Sequence, residues 1–163
     1  MTVIGKDRTG LVESVARLIA DHGGNWLESR MCRLGGEFAG ILRVHVPTAQ
    51  RAALEAALAG LPNLTIIVRA DESEPASGQT QLAALEVMGH DRPGIVREIT
   101  RALSAQGINV EELATECVSA PMSGEPLFQA RAKILVPGNV DLDKLRQTLE
   151  TGLVGLTVDL QRV

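Results

Sequence analysis

The chain has 163 residues, 45% hydrophobic and 22% charged, with a mean hydropathy of +0.10; such a composition builds a packed core and excludes wholesale disorder. Sixteen Lys and Arg against twenty Asp and Glu leave a net charge of −4, and the aromatics are Trp26, Phe38 and Phe128, so there is neither a basic field for a phosphate backbone nor a stacking platform for single strands. No apolar run approaches the roughly 18–20 residues needed to cross a bilayer, and Lys6, Asp7 and Arg8 come too early for a signal-peptide core; a cytoplasmic protein with no membrane or direct nucleic-acid contact is expected.

In chain order, the predicted elements begin with a short strand at Thr2–Ile4, a helix over Leu11–His22 and strands at Asn25–Leu34 and Phe38–Val46. A helix over Thr48–Gly60 and a strand at Leu64–Arg69 follow. In that helix Leu54, Leu58 and Leu61, with Ala52, Ala53, Ala56 and Ala57, form a smooth surface suited to core packing. The stretch from Ala70 to Thr80 is acidic, small-residue and aperiodic, which predicts a linker over 71–80. Leu82–Met88 is a strand ending in Gly89, after which Val96, Ile99 and Leu103 recur at helical spacing up to a stop at Gly107. Val110–Val118 and Leu127–Val136 are further strands. In the latter Phe128, Ala130, Ala132, Ile134 and Val136 alternate with Gln129, Arg131 and Lys133, one face buried and one wet. Asp141–Thr151 is a helix with Leu142, Leu145 and Leu149 on one face, Gly152 stops it, and Leu156–Leu160 is the last strand.

The second set of elements copies the first. At an offset of 84, Gly5-Lys-Asp-Arg-Thr-Gly10 lies over Gly89-His-Asp-Arg-Pro-Gly94, and the register continues through Val12/Val96, Arg17/Arg101, Gly23/Gly107, Asn25/Asn109 and Glu28/Glu112. The offset then becomes 90, pairing Phe38/Phe128, Val46/Val136 and Pro47/Pro137, so the second copy carries an insertion near Pro121–Pro126 that belongs in a strand-to-strand loop. The expectation is an α+β protein of two ferredoxin-like βαββαβ domains, 1–70 and 81–163, each an antiparallel sheet with helices on one face. Copy one has only Thr2–Ile4 where copy two has a full first strand, as expected if Met1 lies inside a longer natural chain.

Chemistry concentrates where the copies agree best. Asp91 stands where a helix N-cap would, Pro93 has the φ of a first helical turn, and Gly94 lets another group approach the backbone. The helix N-terminus offers N–H groups to a carboxylate, while the Asn109 carboxamide can both donate and accept. If both motifs lie on one edge of the sheet, a small zwitterion fits between them. Each residue alone also has an ordinary structural use, as a cap, a turn or a strand entry.

These motifs, Gly89-His-Asp-Arg-Pro-Gly-Ile-Val96 followed by Gly107-Ile-Asn-Val-Glu111, and Gly5–Val12 with Gly23–Glu28 in copy one, resemble those of tandem ACT-domain regulators of the glycine cleavage type. The resemblance covers nearly the whole chain, with Thr9 standing where the motif has Pro. It implies small ligands, most often amino acids, bound at interfaces between paired domains, and it implies Asp7, Gly10, Leu11 and Asn25 in copy one and Asp91, Gly94, Ile95 and Asn109 in copy two as ligand-binding residues. It further implies a non-enzymatic sensor, responsive to glycine, that acts on a transcriptional activator of the glycine cleavage system by protein contact, with a homodimer among the possible assemblies and no cofactor.

Two alternatives stay open: a regulatory or assembly subunit without ligand, and an acylphosphatase-like enzyme using Arg92 and Asn109. His22, His45 and His90 are dispersed, without metal-ligand spacing. Cys32 and Cys117 fall at nearly equivalent points of the second strands and are expected as small buried thiols.

Overall fold

The computed structural model describes residues 1–70, 80–120 and 124–163. The chain divides into two compact units, Met1–Ser73 and Glu74–Val163; the expected linker lies outside the described residues apart from Ala70 and Thr80.

In the first unit, β1 (Thr2–Lys6) leads to α1 (Leu11–Asp21), β2 (Asn25–Leu34) and β3 (Glu37–His45). A turn of 3₁₀ helix at Thr48–Gln50 then runs into α2 (Arg51–Ala59), and β4 (Leu64–Ile67) closes the unit. The sheet order is β2-β3-β1-β4, antiparallel throughout. Leu11, Val15 and Ile19 recur every fourth residue of α1, so one helical stripe faces the sheet, where it meets Val3 and Leu42. Leu54 and Leu58 of α2 complete this core, and Leu61 packs against it, so the leucines are core packing, whereas Ala52, Ala53 and Ala56 are exposed and Ala57 is half-buried, outside the core.

The second unit repeats the plan with β5 (Thr80–His90), α3 (Ile95–Ala105), β6 (Asn109–Ser119), β7 (Pro126–Pro137), α4 (Leu142–Gly152) and β8 (Leu156–Arg162). Its order, β6-β7-β5-β8, is the equivalent one. Both units are therefore ferredoxin-like βαββαβ sandwiches of one sheet and two helices, as the sequence leads one to expect. The alternation in β7 is real: Phe128, Ala130, Ala132, Ile134 and Val136 are all buried under α3 and α4. The insertion falls between β6 and β7, whose ends pair as Ser119 with Pro126.

The first strands differ from the reading of the sequence. β1 runs two residues further than Ile4, to Lys6, because Gly5 and Lys6 pair with Phe38 and Glu37 of β3. It is still five residues against eleven in β5. Both second strands carry a register shift one residue after their start, between Trp26 and Glu28 and between Val110 and Glu112. A bulge of this kind re-aims every later side chain of the strand.

Candidate functional site

The repeated Asp-Arg-[Thr/Pro]-Gly segment forms the turn between the first strand and first helix of each unit. Gly10 (φ +82°, ψ 6°) and Gly94 (φ +92°, ψ −1°) hold the values of the third residue of a type II turn, with Pro93 in the second place. In the first unit the closing bond is present, the Leu11 N–H donating to the Arg8 carbonyl at 3.4 Å. Thr9 replaces proline there without changing the conformation, because the glycine fixes the turn. The first glycine of each motif has another purpose. A Cβ on Gly89 would meet the Gly155 carbonyl at 2.7 Å, and one on Gly5 would collide with the Asn63 carbonyl; these positions bring the end of the first strand against the start of the last.

Asp91 is not the helix cap. Gly94 is the N-cap of α3, as Gly10 is of α1, and neither helix has a side-chain cap. The turn takes up three residues before the helix begins, which carries the carboxylate away from the first-turn N–H groups and puts Pro93 in the turn. Those N–H groups have no intrahelical carbonyl, so anion-seeking donors are present at both turns. Leu11 and Ile95 are 3% and 2% exposed, with side chains in the cores; only their backbones can face a ligand.

The two aspartates are held by different partners. Asp7 accepts from Arg33 Nε at 2.6 Å, and its N–H donates to the Gly36 carbonyl. In the second unit Cys117 stands where Arg33 stands in the first, since Gly5–Phe38–Arg33 and Gly89–Phe128–Cys117 are matching rows of the two sheets. Desolvation, with the charge and hydrogen bonding of Asp91, raises the Cys117 thiol above its ordinary value. The gap-free offset of 84 matches Arg33 to Cys117, and this was the sequence signal for the contrast.

The cysteines thus depart from expectation in two ways. Both are exposed, because β2 and β6 are edge strands that neither neighbouring strand nor helix covers on the outer side. They are also not equivalent. Cys32 opposes Ala39 and Cys117 opposes Phe128, which lie on opposite faces of the respective sheets.

The arginines of the turn diverge as well. Arg92 forms a fork with Glu98, Nη1 to Oε1 at 2.8 Å and Nη2 to Oε2 at 2.6 Å. These bonds raise the Arg92 pKa and hold the Glu98 carboxyl below the ordinary carboxylate range. In the first unit Ser14 replaces Glu98, and its hydroxyl donates back to the Gly10 carbonyl at 2.8 Å. Arg8 instead borders an open hollow of about 560 Å³ beside the turn, whose wall includes Lys6, Asp7, Asn63 and Thr65. Asn63 has a φ of +61°, which brings the start of β4 to this hollow. Nothing in the sequence reading singled out Arg33, Asn63 or the hollow.

The asparagines do not join the turns within a unit. Asn25 opposes His45 on β3, whereas Lys6, next to Asp7, opposes Glu37, eight residues away. In the second unit Asn109 opposes Leu135, and His90, next to Asp91, opposes Leu127. At about 3.4 Å per strand residue the separation is on the order of 25 Å. The expectation that both motifs lie on one edge therefore fails inside a unit, because the first helix carries the chain back along the sheet. A small zwitterion cannot touch both ends. The same separation removes Arg92 and Asn109 as joint catalytic groups, and the Asn109 amide donates to Glu111 Oε1 at 2.7 Å. Among the described residues no group of three His, Cys, Asp or Glu could hold a metal.

The sequence matches the ACT domain over residues 1–70 and again over residues 83–127. With two such units of ferredoxin-like fold, the chain belongs to the ACT-domain family as a tandem member. It is 23% identical to the glycine cleavage system transcriptional repressor of Escherichia coli (strain K12) over 155 residues, 92% of this chain and 80% of that protein. An unknown protein from Galdieria sulphuraria shares its structure at a TM-score of 0.83 and 32% identity, over 99% of this chain and 95% of that one. A protein provisionally named glycine cleavage system transcriptional repressor matches the fold at a TM-score of 0.70 and 18% identity, over 99% and 94% of the two chains. The chain is thus an ACT-domain regulator related to that repressor. Among the described residues no helix is long and apolar enough to cross a membrane.

Proposed function

We propose that this protein is a non-enzymatic sensor of a small amino acid, with glycine the leading ligand, and that occupancy alters its contact with a transcriptional activator of the glycine cleavage system. The observation that carries the proposal is the duplicated turn. In both units a left-handed glycine starts a helix with no side-chain cap, which leaves a seat for a carboxylate. In the first unit Lys6, Arg8 and Asp7 border the hollow beside it, and this mixture of signs suits the two charges of an amino acid. The proposed ligand-binding residues at the seats are Asp7, Gly10 and Leu11, and Asp91, Gly94 and Ile95, with Leu11 and Ile95 contributing backbone. Asn25 and Asn109 are proposed as ligand contacts separate from the seat of their own unit. The relatives' description as transcriptional repressors supports the regulatory reading.

Coupling of ligand to partner is a linkage: the ligand shifts the partner equilibrium only by its differential affinity, and the partner shifts ligand affinity by the same factor. A thermal-shift screen of the twenty amino acids tests the first half. A ligand at about 100 times its Kd adds roughly 2.7 kcal/mol to the unit that binds it, and the expected result is a shift with glycine or a close analogue. A uniformly flat screen at millimolar ligand overturns the sensor reading.

A further inference from the structure

The two sheets have the same open face, turned away from their helices, and fill it differently on the two inner strands and the far one. In the second unit Arg131, Glu86 and Asp159 share one row across β7, β5 and β8. Arg131 reaches Glu86 at 3.4 Å and Glu116 at 3.3 Å, and Lys133 reaches Glu112 at 3.0 Å. The matching row of the first unit is Arg30, Ile41, Thr2 and Ile67. The next row there is Cys32, Ala39, Ile4 and Thr65. Ile4, Ile41 and Ile67 are 44%, 66% and 50% exposed. Since the second unit builds this face from charges, the fold does not require isoleucine at these positions, and a contiguous exposed apolar patch marks an interaction surface.

We propose that the open face of the first unit docks against the same face of a second copy of this chain. The argument is self-complementarity. Aligned sheet packing about a two-fold axis lying across the strands, midway between the Ile41 and Ala39 rows, sets each row over the other. Ile41 then meets Ala39, Ile4 meets Thr2, Ile67 meets Thr65 and, at the β2 edge, Arg30 meets Cys32, so in these two rows each large side chain faces a small one. One step outward on β3, Glu37 of each copy meets Arg43 of the other. An isologous contact needs this pairing of a surface with itself, and a register slipped by one row parts Glu37 from Arg43 and loses that charge pair.

Analytical ultracentrifugation of the full chain over a concentration series tests the proposal. The expected result is a monomer–dimer equilibrium whose dissociation constant rises about tenfold or more in Ile41→Arg. That substitution places on β3 the residue the second unit carries at the equivalent position, and circular dichroism should show the fold intact. Glu37→Arg alone should weaken the dimer, and Glu37→Arg with Arg43→Glu should restore it, because the axis makes these two residues partners. A wild-type chain that stays monomeric throughout overturns the proposal, including where another protein is found on the face. So does a dimer indifferent to Ile41→Arg, or a double variant no better than the single one.

Discussion

A Cβ added at Gly94 would find nothing within 4 Å, yet the residue's φ is +92°; at Gly89 the φ is ordinary and the space is missing. The two glycines of one short motif are therefore needed for different reasons, and substitution separates them. Gly94→Ala should destabilise the second unit by about 1 kcal/mol, the cost of a left-handed residue with a side chain. Gly89→Ala forces a methyl group against the Gly155 carbonyl and Leu156 and should cost about 2–3 kcal/mol, the range for overpacking. Urea unfolding of the two variants checks the order. Equal losses would mean that the first strand moves away from β8 at little cost. The same scale explains why Asp91 misleads as a cap. A left-handed glycine three residues later starts the helix, and the carboxylate is left to Cys117 in one unit as it is to Arg33 in the other.

Elements with strong periodicity were legible in the sequence. Asn25–Leu34 coincides with β2 at both ends, and the Leu142, Leu145 and Leu149 stripe with α4. That helix also has a true cap, since Asp141 accepts from the N–H groups of Asp143 at 2.9 Å and Lys144 at 3.2 Å. Asp141→Ala should destabilise the second unit by about 1 kcal/mol, whereas Asp91→Ala should leave α3 as stable as before; thermal melting of the two variants compares them. What the sequence hid has local causes. Gly5 and Lys6 interrupt the apolar pattern, so the end of β1 depended on pairing with β3 and was not readable. The bulges one residue into β2 and β6 reverse the face of everything beyond, which concealed where the cysteines point. The separation of turn from asparagine follows from direction alone. A helix between two strands returns the chain to the other end of the sheet, so the order strand–turn–helix–strand by itself places Asp91 and Asn109 apart.

At the scale of the whole chain, the two units are unequal in the core that supports them. Among the described residues the second cluster holds seventeen buried apolar side chains, from Ala83 to Val158, and the first holds seven. Much of the first core is completed by partly buried residues such as Trp26, Met31 and Phe38, which remove less apolar surface from water. Small domains bury a low fraction of their surface and are marginal for that reason, so the first unit should be the weaker. Calorimetry of the full chain is expected to show two transitions, the lower from the first unit. A fragment of residues 80–163 should keep the upper transition at nearly its original temperature, because no residue of its core cluster comes from outside that range. A fragment of residues 1–70, whose core cluster is likewise drawn from its own range, should keep the lower transition. Two transitions also tell which unit holds a ligand: the lower one rises if the first turn is occupied and the upper one if the second is. A single transition in the full chain, lost on truncation to 80–163, would show that neither core is sufficient alone and that the units fold as one.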